Sequence, residues 1–518
     1  MRARQYNREI EGPELVFGLV GAVGTDLELV VDALKDSLAE IGYNPRRLHL
    51  IEALHRIRRW KDLPESPLDD RIDQHMNAGN DFREAVKRGD AVALLGSVGG
   101  IRKERRDQPG KDPNSPIARC AYLLRSLKHH AEVEALRNIY GPAFLLVAAH
   151  SPRAVRLEKL ASDIAESRHV FQTSQFRATA ERLNQRDESE PHKEYGQNVR
   201  KTFPQADIFI DASEPTALRR SVSRFIDLLF GYAFHTPSRD EFAMFHAQAA
   251  ALRSASLGRQ VGAVVATDDG DVIAIGTNEV PKAGGGLCWC GDSPDHRDFT
   301  LGYDTNDKMK RNILADLLRR LNDAHWLARD KRKMDVDDLV SIAMQPGSSG
   351  LMKDAQLMNL IEFGRSVHAE MAALIDAARR GVSVHGCPMY TTTFPCHDCA
   401  KHIVAAGIPR VVYMEPYPKS LAPELYLDSI DVDPGGGSLG QVSFEPFVGV
   451  APRMYMRLFA MEDRKDDEGN VVAWNKSAAR PRFEGFSPSY LRNEKDELVD
   501  LYERMQQAGL TLLPGVQV

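Results

Sequence analysis

The chain has 518 residues, 43% of them apolar and 27% charged, with a net charge of −6 at pH 7. A single hydrophobic core stops growing near ~250–300 residues, so two or more domains are expected. The acidic balance argues against a nucleic-acid binder held by phosphate contacts, no apolar run approaches the ~18–20 residues of a membrane span, and six cysteines are too few for a disulfide framework. The opening stretch MRARQYNREIEG has no apolar h-region, so no secretory leader is expected. Reduced, metal-binding thiols in a cytoplasmic protein fit the cysteine usage.

In chain order, LVFGLVG (15–21) predicts a buried strand. Leu27, Val30, Val31, Leu34, Leu38 and Ile41 then follow helical spacing. Short apolar runs at Asp90–Leu95, Ala143–Ala148 and Ala206–Asp211 predict further buried parallel strands, and Ala118–Tyr140 a helix. This alternation predicts an α/β domain with a parallel sheet over residues 1–235. A second α/β pattern is expected over 236–462. It starts with a helix at Glu241–Ala255 and strands at Val261–Thr267 and Val272–Thr277, then a Gly-rich loop and a helix at Asp307–Arg329. A helix at Val367–Arg380, a strand at Met389–Thr392, a helix at His397–Ala406 and a strand at Arg410–Met414 complete it. Residues 463–518 turn polar and predict a peripheral tail with one helix, Asn493–Ala508.

Two motifs carry chemistry. In Gly18-Leu-Val-Gly21-Ala-Val-Gly24-Thr25-Asp26, a glycine-rich turn joins the first strand to the first helix, the context of a phosphate-cradling loop. It departs from G-x-x-x-x-G-K-[ST], because no lysine precedes Thr25. Nucleotide binding through Gly18, Gly21, Gly24 and Thr25 is therefore expected without phosphoryl transfer. The alternative is a turn that serves strand–helix packing alone.

The second motif is His368-Ala-Glu370 followed by Pro395-Cys396-His-Asp-Cys399, with Cys396 lying 28 residues after His368. It matches the zinc-deaminase pattern H-x-E…P-C-x-x-C. Cys396 and Cys399, spaced i and i+3 at a helix start, share one face, and the helix N-terminus favours thiolates. His368 is the third expected zinc ligand, which leaves one position open, and Glu370 is the expected proton carrier. The alternative is a closed structural zinc site completed by ligands such as His385 and Cys387, which would leave His-Ala-Glu unexplained.

These residues, with Ser256-Leu-Gly-Arg259-Gln-Val261-Gly262-Ala263-Val, Gly276-Thr-Asn278-Glu-Val-Pro281 and Arg365-Ser-Val, resemble the deoxycytidylate deaminase branch of the cytidine deaminase superfamily over about Glu241–Ala460. The resemblance implies that Asn278 contacts substrate; a turn-forming role is the alternative. Phosphate recognition needs cations, for which Arg259 and Lys419 are the candidates, though each could equally be a solvated surface charge. Some members carry a second, structural zinc, for which Cys288 and Cys290, with His296, are candidates against two ordinary thiols.

Taken with the glycine loop, Lys128, Arg153, Arg156 and Asp187-Glu188, the chain resembles the bacterial antiphage deoxycytidine-nucleotide deaminases. Those join a P-loop kinase-like, three-layer parallel-sheet domain to a cytidine-deaminase-like α/β/α domain. The resemblance implies deamination of dCTP and dCMP, depletion of dCTP during infection, homo-oligomers and control by a regulatory nucleotide. An inhibitory RNA or protein partner is not readable from the residues. The competing readings are a deaminase of bases in RNA or single-stranded DNA, a nucleotide kinase with a zinc module, and a nucleotide sensor. The mixed charges of Arg464–Arg492, the missing loop lysine and the intact Glu370 tell against these in turn.

Overall fold

The computed structural model describes residues 12–108, 112–190, 192–345, 351–352, 355–417, 419–432, 440–460, 463–482 and 489–514. The opening stretch read for a leader is almost wholly outside them. The chain forms two compact units, residues 1–241 with 447–518, and residues 242–446. Among the described residues no helix is long and apolar enough to cross a membrane.

The strands are β1 Leu15–Val20, β2 Asn44–His49, β3 Cys120–Arg125, β4 Phe144–His150, β5 Ile208–Asp211, β6 Gly262–Ala266, β7 Val272–Thr277, β8 Met389–Thr393, β9 Arg410–Glu415, β10 Ile430–Val432, β11 Val442–Pro446 and β12 Gly449–Val450. The helices needed below are α1 Leu27–Glu40, α2 Leu68–Val86, α3 His130–Tyr140, α4 Arg153–Ser167, α5 Arg177–Glu188, α6 Pro215–Leu229, α7 Ala369–Arg380, α8 His397–Ala405, α9 Pro452–Phe459 and α10 Tyr490–Gln507.

In the first unit the sheet order is β12-β5-β4-β1-β3-β2. All pairs are parallel except β12 with β5. The expected α/β class with a parallel sheet is what the chain adopts. Every residue of β1 is buried, as a central parallel strand requires. One face of the sheet packs Phe17, Leu19, Leu145 and Val147 against Val30 and Leu34 of α1 and Val222 and Phe225 of α6. Because β1 lies between β3 and β4, the strand order reverses beside it. A crevice therefore opens at the carboxyl ends of the strands, the usual ligand position in such sheets.

Three expectations are corrected here. Asp90–Leu95 is no strand: Ala91–Ala93 is α-helical, and a π-turn over Leu94–Val98 continues into helix Gly99–Arg106. A short run buried on every side has no period to distinguish the two conformations. Ala118–Tyr140 is not one helix, since β3 occupies Cys120–Arg125 ahead of α3. Residues 463–518 are not a peripheral tail but part of the first unit, which the chain rejoins at Phe447. There Arg105, fully buried, pairs with Glu494 of α10 at 2.6 Å and Glu14 at 2.6 Å, and the Tyr490 hydroxyl donates to Glu14 at 2.9 Å. The polar composition that suggested an exposed tail is partly a buried ionic network.

The second unit holds the sheet β10-β11-β9-β8-β6-β7. Its β10, β11, β9 and β8 run parallel, and β6 pairs antiparallel with β8 and β7. A Cβ on Gly276 of β7 would lie 1.9 Å from the Ala369 carbonyl oxygen. Glycine there lets the first turn of α7 lie directly on the sheet, and that turn carries His368 and Glu370.

Candidate active site and metal cluster

His368 and Cys396 are the N-cap residues of α7 and α8. The caps bring two helix N-termini together, so that backbone N–H groups and both dipoles favour negative charge between them. His368 Nδ1 lies 3.2 Å from Cys396 Sγ and 3.4 Å from Cys399 Sγ, and the Cys399 backbone N–H donates to Cys396 Sγ at 3.4 Å. A tetrahedral ion with bonds of ~2.0–2.1 Å to nitrogen and ~2.3 Å to sulfur would separate these atoms by about 3.5 Å. The donor set and its spacing therefore fit zinc. Glu370 is 4% exposed and its Oε2 lies 3.4 Å from Cys399 Sγ, beside the cluster. Burial pushes its carboxyl upward. A hydrogen bond from Cys399, helped by His368, lowers Cys396 to about 4, and the bond to Cys396 raises His368 to about 9.

The other predicted residues are distributed unevenly. Asn278 is buried, and its side chain staples a loop: Oδ1 accepts from Val261 N–H at 2.7 Å and Nδ2 donates to the Arg259 carbonyl at 2.6 Å. That holds Arg259 in place, exposed, with its guanidinium 5.5 Å from the Tyr417 ring centre. Burial raises the Tyr417 hydroxyl above its usual range, with Cys396 adding to the shift and Arg259 opposing it. Lys419 is exposed on the following turn, anchored where the Ser420 hydroxyl donates to the Pro395 carbonyl at 2.7 Å. Among the described residues, the potential metal-ligand groups do not include Cys288, Cys290, His385 or Cys387. The sequence marks Tyr417 only as part of the Tyr417-Pro-Lys419-Ser420 segment; its contact with Arg259 comes from the fold.

In the first unit, a cavity of about 470 Å³ occupies the crevice beside β1 and is lined by residues 21–28 with Arg71, Arg83, Arg125, Lys128 and Lys159. Gly21, Gly24 and Thr25 line it. Gly18 lies inside β1, where a Cβ would strike Leu127 at 2.6 Å and Phe144 at 2.9 Å, so its role is packing. Gly24 has φ +90°, and a Cβ there would meet the Arg156 carbonyl oxygen at 2.4 Å, so backbone geometry alone demands glycine. Lys128 reaches the loop from the end of β3: its Nζ donates to the Gly21 carbonyl at 3.0 Å and pairs with Asp187 at 2.8 Å. Asp187 also accepts from Val23 N–H at 2.8 Å. Thr25 Oγ1 and Arg83 Nε are buried beside the cavity without hydrogen-bond partners.

Residues 237–415 match the family model of the cytidine and deoxycytidylate deaminase zinc-binding region. The chain is 50% identical over 54 residues to the deoxycytidylate deaminase of Enterobacteria phage T2, covering 10% of this chain and 29% of that one. It is 36% identical over 98 residues to ComE operon protein 2 of Bacillus subtilis, covering 19% of this chain and 50% of that one. A solved dCMP deaminase from cyanophage S-TIM5, in complex with dCMP and dUMP, is 19% identical, with 41% of this chain and all of that one covered and a TM-score of 0.22. The chain thus spans half or less of the length of these curated relatives. Most of the stretch matched by that family model lies in the second unit, and so do His368, Cys396 and Cys399.

Proposed function

We propose that the second unit deaminates a deoxycytidine nucleotide, dCTP or dCMP, hydrolytically and with zinc, releasing ammonia and leaving the deoxyuridine nucleotide. The observation that carries this reading is the buried Glu370 carboxylate beside the converging His368, Cys396 and Cys399. Those three residues would hold the ion, which supplies a Lewis acid that activates water. Glu370 takes a proton from the attacking water and passes it to the ring nitrogen. It then carries a proton to the departing amine, so cytosine and water become uracil and ammonia. Arg259 and Lys419 offer exposed cations for the phosphate, and the names of the relatives support a nucleotide substrate. Asn278 orients that edge through the Arg259–Val261 backbone.

The cavity of the first unit binds a second, regulating nucleotide. Its basic lining, its position at the strand switch and the unpartnered Thr25 and Arg83 atoms support this. The resemblance of its motifs to those of the antiphage deoxycytidine-nucleotide deaminases supports a role in depleting dCTP during phage infection. The deciding experiment offers the purified chain dCTP, dCMP, CTP and a cytosine-containing oligonucleotide, and follows ammonia and products by chromatography. Ammonia from dCTP or dCMP is expected; turnover of the oligonucleotide alone overturns the reading.

A further inference from the structure

A second set of metal-binding side chains lies in the first unit, where no sequence motif links its members. His55 is the penultimate residue of the 3-10 segment Leu50–Arg56, Glu65 lies in the connection to α2, and His75 lies on α2. His55 Nε2 is 3.3 Å from His75 Nε2 and 3.2 Å from a Glu65 oxygen, and all three ligand atoms lie within 4.8 Å of one another. A tetrahedral ion with bonds of ~2.0–2.2 Å to nitrogen and oxygen sets its ligands about 3.3–3.6 Å apart.

The hydrogen bonds behind the rings fix which nitrogen faces inward. His75 Nδ1 sits 2.7 Å from the Arg71 carbonyl, and His55 Nδ1 sits 3.2 Å from the Lys61 carbonyl. A carbonyl oxygen only accepts, so both Nδ1 atoms carry the proton. In neutral rings the two Nε2 lone pairs then point into the space they share with a carboxylate, an arrangement that repels unless a cation lies between. Backbone carbonyls behind metal-ligating imidazoles are the usual device for fixing the tautomer. The carboxylate is oriented too: Arg71 Nε donates to the second Glu65 oxygen at 3.0 Å.

We propose that His55, Glu65 and His75 bind one divalent transition-metal ion of the zinc class, separate from the ion of the deaminase cluster. Two imidazoles and one carboxylate suit zinc, iron(II) or cobalt(II) and disfavour magnesium and calcium, which take oxygen ligands. Three protein ligands leave at least one position for water or an oxyanion. Glu65 is 64% exposed, so the ion can enter from solvent, while His75 is 5% exposed and also lines the cavity beside the glycine loop. The ion ties the 3-10 segment, the connection and α2 into one wall of that cavity.

The test uses the full chain, stripped with chelator and reloaded with cobalt(II), and reads metal content together with the absorption spectrum. Wild type is expected to take up two ions, one with the thiolate-to-cobalt charge-transfer band of a cysteine site and one without it. His55→Asn and Glu65→Gln, both at partly exposed positions, should each lower uptake from two to one and keep that band. The double variant Cys396→Ser/Cys399→Ser should keep one ion and lose the band. Zinc should then raise the melting temperature of the double variant, and His55→Asn added to it should abolish the rise. Uptake by wild type of a single ion that shows the thiolate band means a proton bridges the imidazoles, and overturns the proposal, whereas a single ion without the band leaves it standing and tells against the cysteine cluster. A second ion indifferent to both His55→Asn and Glu65→Gln overturns it as well.

Discussion

The two crevices are built alike and filled differently. In the first unit α1 follows β1 and in the second α8 follows β8, so each has a helix N-terminus at the end of a buried strand. Around His368, Cys396 and Cys399 the groups that meet are all donors to a metal, with one carboxylate, Glu370, beside them. Beside β1 the chain supplies its own anion and cation: Asp187 takes the Val23 N–H, and Lys128 bridges Asp187 to the Gly21 carbonyl. The first site gathers metal-ligating side chains around one point. The second is already charge-paired, so a ligand entering there would exchange interactions with an existing ion pair.

The sharpest way to break this contrast is to remove a thiolate. Cys396→Ala should lose both zinc and turnover, since two remaining donors make a poor site for the ion. Full metal content in that variant, by elemental analysis, would show that Cys396 is no ligand. Glu370→Gln comes next: metal content near wild type, with ammonia release reduced by ~10²–10⁴-fold as a positioned acid–base is lost. A variant that still turns over at the wild-type rate removes Glu370 from the mechanism.

The contrast also explains what was legible in the sequence. The metal cluster depends on two local spacings, His-x-Glu and Cys-x-x-Cys, each at a helix start, so its parts could be named before any fold. The first-unit crevice depends on residues far apart in sequence. Gly21 and Lys128 meet only because β3 lies beside β1, and Asp187 arrives from the end of α5. The motif's missing lysine was visible, and Lys128 was singled out, but its contact with Gly21 from another strand end was not. The same reason hid β2, an edge strand whose Asn44-Pro-Arg-Arg-Leu-His lacks the apolar run of a central strand. It also hid His55, Glu65 and His75, which no short spacing connects.

Acid should distinguish the units by stability. Burial, with Arg83 nearby, lowers His129 from 6.5 to about 4, while its Nδ1 accepts the Ala131 N–H at 3.2 Å to cap α3. The folded value lies below the unfolded one, so the unfolded chain binds the proton more tightly through that window. The stability His129 confers is present above pH ~6.5 and falls as pH drops towards 4, by at most about 3 kcal/mol. His129→Asn keeps a capping acceptor and removes the titration. Melting temperatures from pH 7 to 4, of chelator-stripped protein in a Cys396→Ala background so that release of neither ion interferes, should fall less steeply with that change. Identical slopes would mean that His129 is not what makes the first unit acid-sensitive. A smaller effect is expected for Lys128→Gln, which keeps donors for Gly21 and Asp187 but removes the positive charge. Loss of a charge-assisted contact of about 1.5 kcal/mol should weaken ATP binding to the full chain roughly tenfold, read by calorimetry. Unchanged affinity would place the nucleotide elsewhere.

The smallest expected effect tests where phosphate recognition sits in the second unit. Arg259 is exposed, and its guanidinium 5.5 Å from the Tyr417 ring centre is the one cation-over-ring contact among the described residues that draws on either predicted phosphate residue. A solvent-exposed charge contact contributes about 0.5–1 kcal/mol, so Arg259→Ala should raise KM for dCTP about two- to fivefold and leave kcat near wild type. Because Asn278 holds the Arg259 carbonyl rather than its side chain, the loop should keep its shape in the variant. The response should shrink as salt rises, since screening weakens the contact in wild type too. Running dCTP, dCMP and deoxycytidine side by side makes the result decisive. An effect on the nucleotides that vanishes for the nucleoside assigns Arg259 to the phosphate. An equal effect on all three makes it a support for Tyr417, and leaves Lys419 as the cation to test.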